Sequence, residues 1–328
     1  MNSVTVADPR LVLVVPVYNE ERLVAQALPH ILHEARRQVI ARTPAAHVRL
    51  LAIDDGSDDG TLLALKRLAL ANPGVAYASF TRNFGKEAAI YAGLRLALER
   101  FDADVVVVMD ADLQHPPELI GEFWACWTDG HSVAEGVKRH RGNESVLRRV
   151  AAGLFYGAFS RASGMSLWQD TDFKLLDRRA AQAVLQMGER ARFFRGMVRW
   201  LGFQGPRLEF DVPDRAGGTS GWGLRALVRY AWNSVTAFSS APLRMVSVLG
   251  AVGLVLGLAL GTKAVVDKLG GHAVDGFSTV ILLLIIFSSL VLVSLGIIGS
   301  YIARIYDEIK QRPHYVLRPE GDTTPPGE

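Results

Sequence analysis

The sequence predicts an α/β fold in which a doubly wound, mostly parallel sheet is followed by two long apolar helices. In the first part of the chain, short runs rich in Val, Ile and Leu alternate with segments of helical apolar spacing, as expected where strands are buried on both faces. Beyond Arg244, residues 245–266 contain a single charge and residues 277–302 contain none. These observations predict one large domain with a hydrophobic appendage.

The composition excludes several classes of protein. With 328 residues, 49% of them hydrophobic, the chain can bury a substantial core, which excludes a disordered protein. The single cysteine, Cys126, cannot form an internal disulfide, and no Cys/His cluster has the spacing of zinc ligands. A net charge of +3 is too small to indicate a nucleic-acid partner, and we expect none.

The N-terminal part is expected to form a parallel sheet with its ligand site at one edge. Strands are predicted at 11–15, 50–53, 75–80 and 105–109, and helices at 20–41, 61–71 and 86–100. Ligands of such sheets bind outside the carboxyl ends of the strands. Each predicted strand is followed there by polar residues, namely Asn19-Glu20, Asp54-Asp55-Gly56-Ser57, Thr81-Arg82-Asn83 and Asp110-Ala111-Asp112.

Two familiar α/β and loop motifs are excluded by their spacing. No GxGxxG follows the first strand, and Gly221-Trp222-Gly223 comes too late in the chain for a dinucleotide site. A calcium loop that began at Asp55 would need a bidentate Glu at its twelfth position, which is Lys66.

Asp110, Asp112 and Gln114 form the sharpest chemical motif. In an extended segment alternate side chains point to the same side, so Asp110 and Asp112 could share one hard cation, with Gln114 next in line. Two carboxylates at a strand end suit Mg²⁺ or Mn²⁺ carrying a diphosphate. A solvated acidic turn has the same composition, so a metal site is indicated only when this motif is considered together with the other motifs of the chain.

The two apolar stretches are predicted to cross a membrane as a hairpin. Each exceeds the ~20 residues that are needed at 1.5 Å per residue, and Lys263 lies near the end of its stretch, where it can reach the interface. Residues 215–244 hold four Arg and no acid, and 303–318 hold four Lys and Arg, whereas the turn at 267–276 holds one Lys and two Asp. The positive-inside rule then predicts a multi-pass protein of the inner (cytoplasmic) membrane with its large N-terminal part in the cytoplasm.

The order of the motifs resembles family 2 glycosyltransferases of the polyprenyl-phosphate branch. Bactoprenol glucosyltransferases are closest in layout, and dolichol-phosphate mannosyltransferases are similar in the catalytic domain. The resemblance covers nearly the whole chain. It rests on Val15-Pro16-Val17-Tyr18-Asn19-Glu20-Glu21, Asp54-Asp55-Gly56-Ser57-Asp58-Asp59-Gly60-Thr61, Arg82-Asn83-Phe84-Gly85-Lys86-Glu87, Met109-Asp110-Ala111-Asp112-Leu113-Gln114-His115-Pro116-Pro117-Glu118, Asp172-Phe173-Lys174-Leu175 and Arg195-Gly196-Met197.

The resemblance implies a GT-A-type fold and a role for each motif. On the donor side, the nucleotide base and ribose would be held by Pro16, Tyr18, Glu20 and Asp54 or Asp55, and Lys86 would approach the donor. The metal diphosphate, with Mg²⁺ or Mn²⁺, would be held by Asp110, Asp112 and Gln114. The catalytic candidates are Asp112, Asp172 and Arg215. Because a phosphate acceptor arrives already charged, Asp172 is predicted to position the acceptor or an arginine such as Arg139, not to remove a proton.

The acceptor phosphate is expected at a basic cluster. Lys138, Arg139, Arg141, Arg148 and Arg149 lie close together in the sequence, and we predict that Arg139, Arg148 and Arg215 contact the phosphate. A general attraction to anionic lipid would explain the same cluster. The family usually shows Arg-x-x-Gly-x-Ser-Lys here, but Gly221 occupies the Lys position.

The predicted domains are a catalytic domain at 1–221, an interfacial amphipathic helix at 222–241, a transmembrane hairpin at 242–302 with spans at 245–266 and 277–302, and a cytoplasmic tail at 303–328.

The function that the resemblance implies is inverting transfer of a hexose from a nucleotide sugar to a membrane polyprenyl phosphate. Glucose from UDP-glucose is the first choice, GDP-mannose and UDP-N-acetylhexosamine stay open, and so does assembly as a homo-oligomer. A processive polysaccharide synthase is the alternative, but Gly196 replaces the Gln of its Gln-x-x-Arg-Trp motif before Arg199-Trp200. A non-catalytic membrane scaffold is the other alternative, and it should have lost the metal carboxylates.

Overall fold

The computed structural model describes residues 6–139, 170–190, 192–203, 205–211, 241–270 and 277–322. The described residues belong to two compact units. Unit one holds those up to 211 together with 312–322, and unit two holds 241–270 and 277–311. Three earlier expectations lie outside the described residues: the roles of Arg148 and Arg215, the substitution at Gly221, and the interfacial helix apart from Ala241.

Unit one is a sheet of eight described strands flanked by helices. The strands lie in the order β7-β5-β6-β4-β1-β2-β3-β8. Their bounds are β1 Arg10–Val17, β2 His47–Asp54, β3 Val75–Phe80, β4 Val105–Val108, β5 Val133–Lys138, β6 Asp170–Asp177, β7 Arg207–Phe210 and β8 Leu317–Asp322. The helices are α1 Glu21–Ile40, α2 Thr61–Ala71, α3 Lys86–Phe101, α4 Ile120–Thr128, α5 Arg178–Gln186 and α6 Phe194–Trp200.

The four central strands confirm the predicted fold class. β4, β1, β2 and β3 are parallel neighbours, and each begins and ends within a few residues of its predicted position. β4 consists of four valines that are all buried, because helices cover both faces of the sheet. The carboxyl ends of these strands therefore lie at one edge, where the sequence places its polar motifs.

Two strands run against the others, and neither was anticipated. β6 is antiparallel to both β4 and β5, with Val108 opposite Lys174. It leads into α5, whose first turn is capped by Asp177, which accepts a hydrogen bond from the N–H of Ala180 at 2.6 Å. Because β6 is antiparallel to β4, its first residues lie at the edge of the sheet where β4 ends.

The other reversed strand, β8, lies in the segment 303–328 that is predicted above to be a tail. It pairs with β3 at the far edge of the sheet. Just before it, the ring of Tyr315 stacks on Phe80 with centroids 5.0 Å apart and planes 18° apart. Arg318 Nε also donates to the carbonyl oxygen of Phe80 at 2.9 Å. The edge of β3 is thus covered by the C-terminal part of the chain.

The described part of unit two is built from the helices α7, Ala241–Leu269, and α8, Phe277–Ile309. They contain the predicted stretches 245–266 and 277–302, and α8 continues beyond the second. Gly253 of α7 faces Phe287 and Leu290 of α8. Both helices are long and apolar enough to cross a membrane, over Pro242–Asp267 and Leu283–Ile309, and most of their apolar side chains are exposed.

Candidate active site

The loops that follow β1 and β2 are joined to each other by hydrogen bonds. The N–H of Asn19 donates to Ser57 Oγ at 2.9 Å, and the N–H of Glu20 donates to Thr61 Oγ1 at 2.9 Å. Tyr18, which directly follows β1, remains 41% exposed, and Pro16, near the end of β1, is half-buried. The first predicted donor motif therefore lies at the carboxyl edge of the sheet and stays partly accessible to solvent.

Asp54 and Asp55 organise these loops. Asp54 is fully buried, and its two oxygens accept from the N–H of Ser57 at 3.0 Å and from Ser79 Oγ at 2.6 Å. Asp55 accepts from the N–H groups of Phe84 at 2.7 Å and Gly85 at 2.9 Å. Burial raises the pKa of Asp55, and the two N–H groups act in the opposite direction. Asp55 thereby joins the end of β2 to the beginning of α3.

Glycine is required where the loops after β2 and β3 meet. Gly56 has a φ of +69°, and a Cβ atom built on it would lie 2.2 Å from the backbone carbonyl carbon of Arg82. A side chain is therefore excluded both by the left-handed backbone and by the close approach. The polar motifs after the second and third strands are consequently in direct contact.

The Asp110–Gln114 segment is a turn, which corrects the assumption of an extended segment. Leu113 has a φ of 58°, and the N–H of Gln114 donates to Asp112 Oδ1 at 3.0 Å. Strand alternation therefore does not determine where the two carboxylates point. Asp112 is nevertheless exposed, and Asp110 keeps 30% of its side-chain surface accessible.

Glu20 lies close to both of these carboxylates. Burial first, and then the charges of Asp112 and Asp110, raise the pKa of Glu20 to about 7. Its Oε2 atom is buried and has no hydrogen-bond partner among the described residues. The loop after β1, which the resemblance assigns to the nucleotide, thus places its acid beside the Asp110–Gln114 turn.

The acidic residues at this edge fit a divalent cation that binds together with a diphosphate. Within the described ranges, no three His, Cys, Asp or Glu side chains are grouped closely enough to hold a metal by themselves. Mg²⁺ commonly uses only one or two carboxylates and completes its shell with substrate phosphates and water. Glu20, whose buried Oε2 atom has no hydrogen-bond partner among the described residues, would offer a further oxygen close to Asp110 and Asp112.

His115 binds the backbone of Asp110. Its Nδ1 accepts a hydrogen bond from the backbone N–H of Asp110 at 3.1 Å, and its ring stacks on Phe173 with centroids 4.9 Å apart. Burial is the main cause that lowers the pKa of His115 to about 4, so the ring is neutral at physiological pH. His115 belongs to the motif at residues 109–118 that carries the family resemblance, but the sequence alone predicted no role for it.

Asp172 is held between two cations. Arg195 donates from Nε to Oδ1 at 2.7 Å and from Nη2 to Oδ2 at 2.9 Å, and Lys86 Nζ lies 2.8 Å from Oδ2. Burial alone would raise the pKa of Asp172, but Arg195 and Lys86 outweigh it and hold this pKa far below its usual range. Asp172 is therefore ionised at physiological pH.

Lys86 also binds Asp110, so one ammonium group joins two of the predicted site residues. Its Nζ lies 2.6 Å from Asp110 Oδ1, and its side chain remains 43% exposed. Burial acts to lower the pKa of Lys86, yet the nearby Asp172 and Asp110 raise it. The lysine is thus charged and partly accessible to solvent.

The arginine bound to Asp172 differs from the expected one. Arg139, the predicted example of such an arginine, instead pairs with Glu209 at 3.3 Å and Asp211 at 3.2 Å, beside β7. Arg195, which belongs to the Arg195-Gly196-Met197 motif but had no predicted role, binds Asp172 instead. Nothing in the sequence spacing shows that a residue on α6 will reach β6.

Comparisons with known proteins agree over most of the chain. A family model described as "Glycosyl transferase family 2" matches residues 12–186. An uncharacterised glycosyltransferase of Bacillus subtilis, YkcC, is 34% identical over 312 residues, covering 93% of this chain and 92% of that protein. The bactoprenol glucosyl transferase of Shigella phage SfII is 31% identical over 311 residues, covering 94% and 97%.

Among solved structures, mannosyl-3-phosphoglycerate synthase from Rubrobacter xylanophilus matches 70% of this chain and 72% of its own, with 20% identity and a TM-score of 0.46.

Proposed function

The chain belongs to glycosyl transferase family 2 and is a glycosyltransferase, and from this premise we propose that it transfers a hexose, with glucose as first choice, from a nucleotide sugar to a polyprenyl phosphate. The observation that carries the proposal is the Lys86 ammonium, which binds Asp110 and Asp172 at 2.6 and 2.8 Å. Lys86 thus links Asp110, which we propose to be on the side of the metal diphosphate, to Asp172, which we propose to be on the side of the acceptor. Relatives that match nearly the whole chain are named bactoprenol glucosyl transferases, which supports this acceptor.

The donor would lie across the carboxyl ends of β1, β2 and β4. Pro16, Tyr18 and Glu20 would border the nucleotide, with Asp55 holding the loop beneath it. Asp110 and Asp112, with Gln114 beside them, would hold the divalent cation, which when bound supplies positive charge to the departing diphosphate. Lys86 adds a second positive charge at the same place, from the protein itself.

The acceptor needs no general base. A phosphate monoester has a second pKa of ~6 and is largely dianionic at neutral pH. One of its oxygens attacks the anomeric carbon from the face opposite the leaving group, and the electron pair of the broken carbon–oxygen bond leaves with the nucleoside diphosphate. This single displacement inverts the anomeric configuration. Asp172, which stays ionised, orients Lys86 and Arg195 in this step and takes no proton.

The two apolar helices would anchor the enzyme where its acceptor is found. A polyprenyl chain cannot leave the hydrocarbon layer, whereas nucleotide sugars are water-soluble. We propose that α7 and α8 cross the inner membrane and that unit one works on the cytoplasmic side, because both flanks of the helix pair are richer in Lys and Arg than its turn. Arg139, Arg148 and Arg215 remain the proposed contacts of the acceptor phosphate.

The test is transfer of a labelled sugar into lipid. Membranes that contain the full chain are given polyprenyl phosphate and one of three radiolabelled donors, UDP-glucose, GDP-mannose or UDP-N-acetylhexosamine. We expect label in the organic phase with one donor and none with the Asp112→Asn variant. Label in a water-soluble polymer would indicate a polysaccharide synthase instead, and no incorporation from any donor would refute the proposal.

A further inference from the structure

Helix α6 begins at a carboxylate of another helix. The backbone N–H of Phe194, the first residue of α6, donates to Glu87 Oε2 at 2.7 Å. Phe194 is buried, and the first N–H groups of a helix have no partner within the helix. Glu87 supplies the missing acceptor and so fixes the beginning of α6 against the first turn of α3.

The next residue of α6 is Arg195, the arginine that holds Asp172. In addition to its two bonds to the Asp172 carboxylate, Arg195 donates from Nη1 to the carbonyl oxygen of Asp170 at 3.1 Å. A bidentate arginine restricts both the place and the direction of its carboxylate. The geometry at Asp172 therefore depends on where α6 begins.

Two consecutive residues of α3 thus control the two cations around Asp172. Lys86 is itself one of these cations, and Glu87 fixes the other through α6. The first turn of α3 is in turn fixed by Asp55, which accepts from the N–H of Gly85. Because Gly85 has a φ of 96°, this entry into the helix is closed to most other residues.

We propose that Glu87 is a positioning residue for sugar transfer, which touches neither substrate and acts by holding α6 so that Arg195 orients Asp172. The inference rests on the proposed function, in which Asp172 works at the acceptor site. An exclusively structural role for Glu87 is the competing explanation, since any buried hydrogen bond stabilises the fold. The two explanations differ in whether the effect of Glu87 requires Arg195.

A pair of nearly isosteric substitutions separates the hydrogen bond from the volume of the side chain. Glu87→Gln keeps an oxygen that can accept from Phe194, whereas Glu87→Met fills the same space without one. Burial, and then the charge of Asp172, raise the pKa of Glu87 to about 7, so an uncharged acceptor is compatible with this place. Glu99→Met is the matched control, because Glu99 is an exposed glutamate of the same helix, paired with Arg95 at 2.8 Å.

The experiment measures kcat per folded protein and the donor KM for the wild type, Glu87→Gln, Glu87→Met, Glu99→Met, Arg195→Met and the double variant Glu87→Met/Arg195→Met, all as full-length membrane protein. We expect Glu87→Met to lower kcat about tenfold, with the donor KM within about twofold of wild type. Glu87→Gln and Glu99→Met should stay within about twofold of wild type in both. The double variant should be no slower than Arg195→Met, because coupled residues are not additive.

Wild-type kcat per folded molecule in Glu87→Met would overturn the inference, even if that variant unfolds at a lower temperature. So would a double variant about tenfold slower than Arg195→Met, because the effect of Glu87 would then not pass through Arg195. Failure of the proposed function has a different signature, since the wild type itself would then form no lipid-linked sugar from any donor.

Discussion

Asp110 and Asp172 share one counter-ion, the Lys86 ammonium, which lies 2.6 Å from the first carboxylate and 2.8 Å from the second. Asp172 lies in β6 and Asp110 lies two residues beyond the end of β4; these two strands are antiparallel, with Val108 opposite Lys174. Continued for two more residues, the same register would bring Asp110 opposite Asp172. A lysine at the start of α3 thus holds the proposed donor and acceptor sides at a fixed separation.

Removal of this shared cation is expected to impair transfer strongly. In Lys86→Met, Asp110 loses an ion pair and Asp172 keeps Arg195 alone among its cationic partners in the described residues, so two charge-assisted hydrogen bonds disappear at once. Each contributes about 1.5–3 kcal/mol, and we expect kcat/KM to fall about 100-fold or more. Initial rates of lipid-linked sugar formation measure the effect. A loss smaller than about threefold would show that Lys86 is a spectator.

Asp112→Asn is expected to abolish transfer and to leave the fold intact. The amide oxygen of Asn can still accept the N–H of Gln114, so the turn is preserved, whereas the negative charge for a divalent cation is lost. The rate at saturating Mg²⁺ should fall about 100-fold or more. Unchanged thermal unfolding is the control, and near-normal rates at saturating Mg²⁺ would exclude Asp112 as a metal ligand.

Asp172→Asn should lose activity by a similar factor at every pH between about 5.5 and 9. Arg195 and Lys86 hold the pKa of Asp172 far below this range, so its charge does not change there. The measurement is the pH profile of kcat for the variant and the wild type. Selective recovery of the variant at alkaline pH would instead identify Asp172 as a general base.

Glu87 should make the stability of unit one depend on pH. Its pKa is about 7 in the folded protein and 4.5 ordinarily, because burial and Asp172 outweigh the N–H of Phe194, Arg195 and Lys86. The folded state therefore binds more protons between these two values, and the contribution of Glu87 to stability falls as the pH rises from 4.5 to 7. Glu87→Gln should unfold at a higher temperature than wild type at pH 8, and this gain should disappear at pH 4.5. An equal difference at both pH values would contradict the assignment.

The segment that contains Tyr315 and β8 should be essential for the stability of unit one. A chain that ends at residue 311 loses the stacking on Phe80 and leaves β3 as an open edge, whereas a chain that ends at 322 keeps both. Loss of a large aromatic contact is worth about 1.5–3 kcal/mol, so we expect unfolding about 5–10 °C lower. Equal unfolding temperatures of the two truncated proteins would refute this. A soluble version of the domain should accordingly retain 312–322.

The central strands and their helices were predictable because their residues obey simple rules. Buried parallel strands are continuous apolar runs, as in the four valines of β4, and their polar ends share one edge. β6 does not obey this rule, because its alternate residues Asp170, Asp172 and Lys174 are charged and buried. Lys174 is tolerated inside because Asp170 lies 2.5 Å and Glu135 3.2 Å from its Nζ, and such pairing is invisible in a linear sequence.

The predicted site was incomplete for the same reason, because contacts between distant residues are not visible in a linear sequence. The residue types at the strand ends indicated a diphosphate and a cation, and the resemblance supplied Asp172. The arginine that binds Asp172 comes from α6 and so depends on a tertiary contact. The bond between Asp110 and His115 is local, but it depends on the turn between them, which the sequence pattern did not predict. The turn at Asp112 departs from the extended segment because Leu113 adopts a left-handed backbone, which a leucine gives no reason to expect.

The position of β8 in the chain has a consequence for biosynthesis. β1 to β7 leave the ribosome before α7 and α8, but the strand that covers β3 is translated after both helices. Until then the backbone of β3 is available to any other strand, which is a known route to aggregation. A nascent chain that stalls after α8 therefore carries a sheet in which β3 is still uncovered, and the six-residue strand β8 can dock only after it has been translated.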